Sequence, residues 1–313
     1  MLHFARNLVQ PSQLRDFLLA VAQTADRKWL LVDNGVMDVT RSLRIADTLG
    51  WPRHVAFSGS SLDAFGTSGP QLLEIPASPQ ADLVEALARW VAIEPTAAGL
   101  SVLCSAASPD ELQSVLAYLA LATVEDDQRL HCRCADVRVL TNLLPALSLA
   151  QSLRAARAVQ SWWWLDELGT PRYWSAGLAA GAQEPAPTPD RSDHLQLSNG
   201  QFARMLDASE ADIIFSLLLD KTSELVPATG RGDFRLTLQR VLATATRFAV
   251  TQTPDRLQFV VLSLATGESF HGHPELASTW LNVREHGASL TREMESWSDD
   301  LWAELDSGRR PAQ

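Results

Sequence analysis

Apolar positions in the first half of the chain follow two alternating periods. Leu14, Phe17, Leu18 and Val21 lie at helical spacing within residues 12–24, and a short apolar run, Trp29 to Asp33, then stops at the turn pair Asn34-Gly35. Asp38 is placed to cap a helix carrying Val39, Leu43, Ala46 and Leu49, which Gly50 ends. Residues 54–57 read as a strand. A Gly- and Ser-rich loop over 58–70 leads to a strand at 71–75, and Ser78-Pro79 opens a helix bearing Leu83, Leu87, Trp90 and Val91. The strongest local signal is Ser108-Pro109-Asp110-Glu111 after the apolar strand 100–104: a capping box with proline at the first helical position, predicting a helix to about residue 123. Residues 129–135 alternate like a strand, Asp136 is placed to cap the next helix, and residues 161–168 with Gly169-Thr170-Pro171 predict a hairpin into 172–175. Strands separated by helices predict an α/β lobe over residues 1–180, its sheet mixed but mostly parallel and covered by helices.

The pattern then changes. Residues 181–197 carry Pro185, Pro187 and Pro189 and little apolar material, which reads as an extended linker. From 198 onward only the helical period remains. Ser198 with Gln201 forms a second capping box, apolar stripes run through 209–226, 233–250, 254–265 and 274–285, and Leu290, Met294, Trp297, Leu301 and Leu305 extend the pattern as a C-terminal amphipathic helix that frays after Gly308. Residues 198–313 are therefore expected to form an all-helical lobe.

Composition narrows the function. The chain has 26 Lys plus Arg against 37 Asp plus Glu, a formal charge of −11, which argues against nucleic acid as a partner because phosphate affinity needs clustered cations. Charge-free stretches reach only about 15 residues, as at 139–153, short of the ~20 of a membrane span. No cationic leader with an apolar run opens the sequence, and Cys104, Cys132 and Cys134 are too few for a disulfide framework, so a reducing, cytoplasmic setting is expected.

Catalytic signatures are scarce. The chain has no phosphate loop, no dinucleotide fingerprint, no G-x-S-x-G and no H-E-x-x-H. His131, Cys132 and Cys134 do not converge if they lie on a strand, so the cysteines read as buried small hydrophobes and no metal or cofactor is expected. His271 and His273 flank a turn and fall short of a zinc ligand set. Arg231-Gly232-Asp233 reads as a loop ending in an N-cap. Trp162, Trp163 and Trp164 alternate faces on a strand. They read either as core or, through Trp162 and Trp164, as a partner-binding platform, since Trp is enriched at interface hot spots. Trp297 and Trp302 either fold back on the body or offer a helix to a partner groove.

The order of several segments resembles a known family. Trp29-Leu-Leu-Val-Asp33-Asn-Gly35, Gly69-Pro70-Gln-Leu-Leu-Glu-Ile75, Gly99-Leu-Ser-Val-Leu-Cys-Ser105, Arg133-Cys-Ala-Asp136-Val-Arg138-Val-Leu140 and the Trp162 strand are similar to the type VI secretion effector-adaptor family. This is a domain of formerly unknown function whose members are also called effector chaperones. The resemblance runs from about Trp29 to Leu281. Members carry an aromatic-rich strand leading into Asp-Pro-Arg; here the strand is Leu130-His-Cys-Arg-Cys134, Val137 holds the proline position, and Asp136 and Arg138 are retained. The resemblance implies a non-enzymatic cytoplasmic adaptor that holds a toxic effector, helps load it onto the valine-glycine-repeat spike and stays behind on secretion, with Arg133, Asp136 and Arg138 as partner-binding residues. Two lobes joined by a Pro-rich linker suit the clamping of a protein segment. Two other readings stand beside it: an interaction scaffold, and an α/β hydrolase-like enzyme with a helical lid, whose nucleophile would be Cys104 or a serine of 58–68.

Overall fold

The computed structural model describes residues 3–24, 27–125, 128–175, 188–190 and 192–307. Strands β1 (Lys28–Val32) and β4 (Leu100–Cys104) are apolar or small at nearly every position, so both of their faces must be covered. They are the centre of a six-stranded sheet with β2 (Arg53–Val55), β3 (Gln71–Glu74), β7 (Ser161–Leu165) and β8 (Pro171–Trp174), in the order β2-β3-β1-β4-β7-β8. One face buries Trp29, Leu31, Leu72, Leu103, Trp162 and Trp164 beneath α4 (Pro109–Ala120), α5 (Val137–Ala146) and α6 (Leu149–Ala155). The other buries Leu30, Val32, Leu73, Val102 and Cys104 beneath α1 (Pro11–Ala22), α2 (Val39–Leu49) and α3 (Gln80–Val91). The result is a three-layer unit with one core on each side of the sheet. Beside it lie β5 (Leu121–Thr123), β6 (Arg129–His131) and β9 (Leu195–Gln196), in a small sheet ordered β6-β5-β9.

The expectation of a mostly parallel sheet is wrong. Every pairing of the six-stranded sheet is antiparallel, and the parallel pairing is β5 with β9 in the small one. The reason lies in what fills the gap between strands joined by a helix. Strands β3 and β4, joined through α3, do run the same way, but β1 sits between them and runs against both, a split β-α-β arrangement. Alternation of strands with helices suggested a parallel sheet, but a helix-joined pair can be parallel with an antiparallel strand inserted between its members.

Local signals hold well. Asp38 caps α2 by accepting from the Arg41 amide, and Gly50 ends that helix in the left-handed region. Ser108 and Glu111 form the capping box of α4, Asp136 caps α5, and Gly169 at φ +80° makes the β7–β8 hairpin turn. Several assignments shift. Helix α3 starts after Pro79 with no Ser78 cap, α4 ends at Ala120 where β5 begins, and β6 stops at His131.

The chain packs as two compact units, Asn7–Ser209 and Met1–Arg6 with Glu210–Gln313. Residues 181–187 of the proline-rich stretch, like the tail beyond 307, lie outside the described residues. The second unit is helical: the later turns of α7 (Asn199–Lys221), then α8 (Arg231–Arg247), α9 (Thr253–Thr266), α10 (Ala277–His286), α11 (Leu290–Met294) and α12 (Asp299–Ser307). The C-terminal stripe is thus carried by two short helices and the connection between them, where Trp297 lies, rather than by one helix. Arg231-Gly232-Asp233 is the first turn of α8, not the loop before it, because Gly230 at φ +67° takes the cap position. The core gathers Phe215, Phe259, Trp280, Leu276 and Leu301. Ala5 is buried with them, and its amide donates to Asp212, which pairs with Arg235 at 3.0 Å.

Asp255 opens α9 and ties it to α11, accepting from the Ser289 hydroxyl at 2.8 Å and from the Thr291 amide and hydroxyl at 3.1 and 2.9 Å. Burial pushes its carboxyl up, but these donors together hold it below the usual range. The unfolded chain therefore binds this proton more tightly. The stability Asp255 contributes is present above pH ~4 and is lost as pH falls through the lower folded value. Asp255→Asn is expected to cost about 1–2 kcal/mol at neutral pH and to flatten the acid limb of urea midpoint against pH; an unchanged acid limb contradicts this role.

Candidate functional site

Strand β1 is followed by Asp33-Asn34-Gly35, and the Asp33 carboxylate is buried where α5 begins. The turn joining α3 to β4 brings the two together. Glu94 accepts from the Thr96 and Ala98 amides at 3.3 and 2.5 Å, and Ala97 holds a left-handed backbone at φ +52°. This turn presents two carbonyls: Gly99 accepts from the Asp33 amide at 2.9 Å, and Ala98 from the Val137 amide at 2.8 Å.

Two carboxylates and two guanidiniums meet there. Asp33 accepts from the Gly35 amide at 2.8 Å and from Arg133 Nη2 at 3.1 Å. Asp136 accepts from the Arg138 amide at 3.0 Å and from Arg138 Nε and Nη2 at 2.8 and 2.6 Å, with Arg133 Nη1 at 3.8 Å. Asp136 is at once the helix cap and half of a forked ion pair. The acids are hidden, their side chains 4% and 2% exposed, whereas Arg133 is 38% exposed. Burial raises the Asp33 carboxyl above its ordinary value, with Arg133 and the Gly35 amide pulling it back. Burial would loosen the Arg138 proton, but its bonds to Asp136, with Glu94 and Asp33 beyond, hold it above the usual value.

Beside the cluster opens a cleft of about 250 Å³, lined by Asp33, Gly35, Arg133 and Ala135 and, on the opposite wall, by Phe57, Phe65 and His131. Phe65 stacks on His131 with ring centroids 5.3 Å apart, and Phe57 meets His131 edge-on at 6.2 Å. The loop that supplies Phe65 is fastened from beneath: Asn34 Nδ2 donates to the Thr67 carbonyl at 2.8 Å, and Gln71 Nε2 to those of Gly69 and Pro70 at 3.2 Å. Burial, then the nearby Arg133 charge, lowers the His131 pKa against a smaller pull from Asp33, so the ring favours its neutral form.

The other sequence-predicted residues lie apart from this cluster. Trp162 is fully buried and donates to Ser101 Oγ at 2.9 Å; Trp164 is buried on the same sheet face, its indole N–H unpartnered among the described residues. Trp163, on the opposite face, stacks on exposed Tyr173 at 4.7 Å. Trp297 and Trp302 belong to the helical unit, packed on each other at 5.0 Å, with Trp297 donating to Thr279 Oγ1. All three cysteines are free and buried, and desolvation pushes the Cys132 thiol up to about 11 and Cys134 higher still. His273 pairs with Glu304 at 3.0 Å, while His271 lies among Phe248, Phe259 and Phe270. Among the described residues no group of three His, Cys, Asp or Glu side chains is placed to hold a metal, and no helix is long and apolar enough to cross a membrane.

Sequence reasoning named Arg133, Asp136 and Arg138 but missed Asp33 as their partner, and missed the wall of Phe57, Phe65 and His131. The available signal was a pair of phenylalanines, one before and one within a Gly- and Ser-rich loop.

Residues 28–154, from the first residue of β1 into α6, match a family model described as a domain of unknown function (DUF4123). The matched segment holds the whole charged cluster and every residue of the cleft. No curated protein and no solved structure matches the chain.

Gly35 is fixed by close approach: a Cβ there would lie 2.9 Å from Arg133 Nη2 and 3.0 Å from Asp33 Oδ1. Gly35→Ala is expected to push the guanidinium off the buried carboxylate and to cost about 1–3 kcal/mol by urea unfolding. A loss under ~0.5 kcal/mol, the level of an ordinary surface change, contradicts this packing.

Proposed function

We propose that the protein is a non-enzymatic cytoplasmic adaptor of type VI secretion, binding an effector and helping to load it onto the valine-glycine-repeat spike. One observation carries this reading: the family model matches residues 28–154, the N-terminal part of the segment that resembles the effector adaptors in sequence, and that part builds the buried ion cluster and its open cleft. The family is linked to effector adaptors of this secretion system, and an exposed cleft lined by aromatic rings beside a half-exposed guanidinium suits holding a protein segment. The thiols and one loop serine are poorly placed as nucleophiles. The thiols are buried, with Cys132 raised, and in the 58–68 loop the Ser60 hydroxyl is spent on the Phe57 carbonyl at 2.7 Å.

The test is affinity purification of the tagged full chain from its own cells under conditions where the secretion genes are expressed, with mass spectrometry of the eluate. The expected result is stoichiometric recovery of one large toxin-like protein, with or without a spike protein, and loss of that protein from the secreted fraction when the gene is deleted. Elution of the chain alone, with secretion unaffected by the deletion, overturns the reading.

A further inference from the structure

We propose that the cleft beside Arg133 docks an internal segment of a partner polypeptide in which an aromatic side chain is followed by Asp or Glu: the ring packs against the exposed surface of Phe57, Phe65 and His131, and the carboxylate meets the Arg133 guanidinium. The inference rests on the adaptor reading for the partner's identity, but not for the chemistry of the site.

Size decides the class of occupant. At about 250 Å³ the cleft falls below the ~300–1,000 Å³ of small-molecule pockets and is on the scale of a single docked side chain. Its walls decide the character of that side chain. Phe57 and Pro70 are apolar lining, and Phe65, 46% exposed, leaves aromatic surface in water, where a second ring gains both buried area and ring–ring contact.

Charge decides the neighbour. Counting Asp33, Asp136, Arg133 and Arg138 alone, the cluster is neutral, yet its acids are inaccessible while Arg133 is 38% and Arg138 20% exposed, so an approaching chain meets positive charge. Arg133 is tethered to Asp33 by one terminal nitrogen and lies 3.8 Å from Asp136 by the other, leaving N–H groups of its fork for a carboxylate. A chain-terminal carboxylate is disfavoured because its capture relies on a nest of open backbone amides. Here the Gly35 amide is taken by Asp33 and the Gly69 amide by the Phe65 and Gly66 carbonyls. The arrangement is built in advance, since the ion pair, Asn34 and Gln71 hold Arg133 and the Phe65 loop in place, so little ordering cost falls on binding.

The experiment titrates the full-length protein, followed by NMR, with the acetylated and amidated hexapeptide Gly-Ser-Phe-Glu-Ser-Gly and with two controls, Lys replacing Glu and Gly replacing Phe. Saturable shifts at His131, the Arg133 side chain and residues 65–70 are expected, about tenfold weaker with either control, and about tenfold weaker with the protein variants Phe65→Ala and Arg133→Lys. No shift at millimolar peptide, or equal shifts with all three peptides, overturns the proposal. The same variants, once shown to keep the wild-type unfolding midpoint, separate this inference from the adaptor reading. If the unaltered chain retains an effector and both variants retain it equally, the cleft is not the docking site and the adaptor reading stands. If the unaltered chain retains none, the adaptor reading fails and the peptide titration still decides the cleft.

Discussion

Two carboxylates buried within reach of one guanidinium set the terms for the N-terminal unit. Each ion taken out of water costs several kcal/mol unless donors replace its hydration. Around Asp33 and Asp136 those donors come from Gly35, Arg133, the amide of Arg138 and the Arg138 fork. Supplying them fixes the end of β1, the start of α5 and the strained turn of Ala97, whose carbonyl neighbours Ala98 and Gly99 bind both segments. Removing either partner would leave an uncompensated buried charge, so the cluster acts as a frame rather than as a reservoir of net stability.

The frame explains how a cleft comes to lie open beside it. Arg133 is held from below by acids that solvent cannot reach, which leaves its outer side for a ligand. The Phe65 loop is pinned by amide side chains from the turn after β1 and from β3, and stacking on His131 brings the strand β6 into the same wall. Three segments far apart in sequence thus share one surface. The tryptophans serve differently. Trp162 and Trp164 fill the core under α4 and α5, and their size is what lets a five-residue strand bury so much apolar area.

Much of this was legible in the residues. Capping boxes, the Asp136 cap, the Gly169 hairpin and the switch from alternating elements to helix alone are local signals, and short-range hydrogen bonding settles them. Strand direction was not legible. The apolar runs of β1 and β4 report burial on two faces, and only the long-range placement of β1 between β3 and β4 makes the sheet antiparallel. The site was half legible for the same reason. Arg133, Asp136 and Arg138 lie within six residues and read as a motif, whereas Asp33 lies 100 residues before Arg133 and meets it only through the turn before β4, whose carbonyls bind both segments. In the helical unit, the break between α11 and α12 falls within an unbroken apolar stripe, which periodicity alone reads as one helix.

The most direct measurement on the frame is a double-mutant cycle in urea with Asp33→Asn, Arg133→Met and the combined variant. If the pair holds β1 to the turn before α5, the two substitutions should couple by about 1–3 kcal/mol, the double variant being less destabilised than the sum of the singles. Additivity within ~0.5 kcal/mol would mean that Arg133 and Asp33 are neighbours without being the constraint on which the cleft depends.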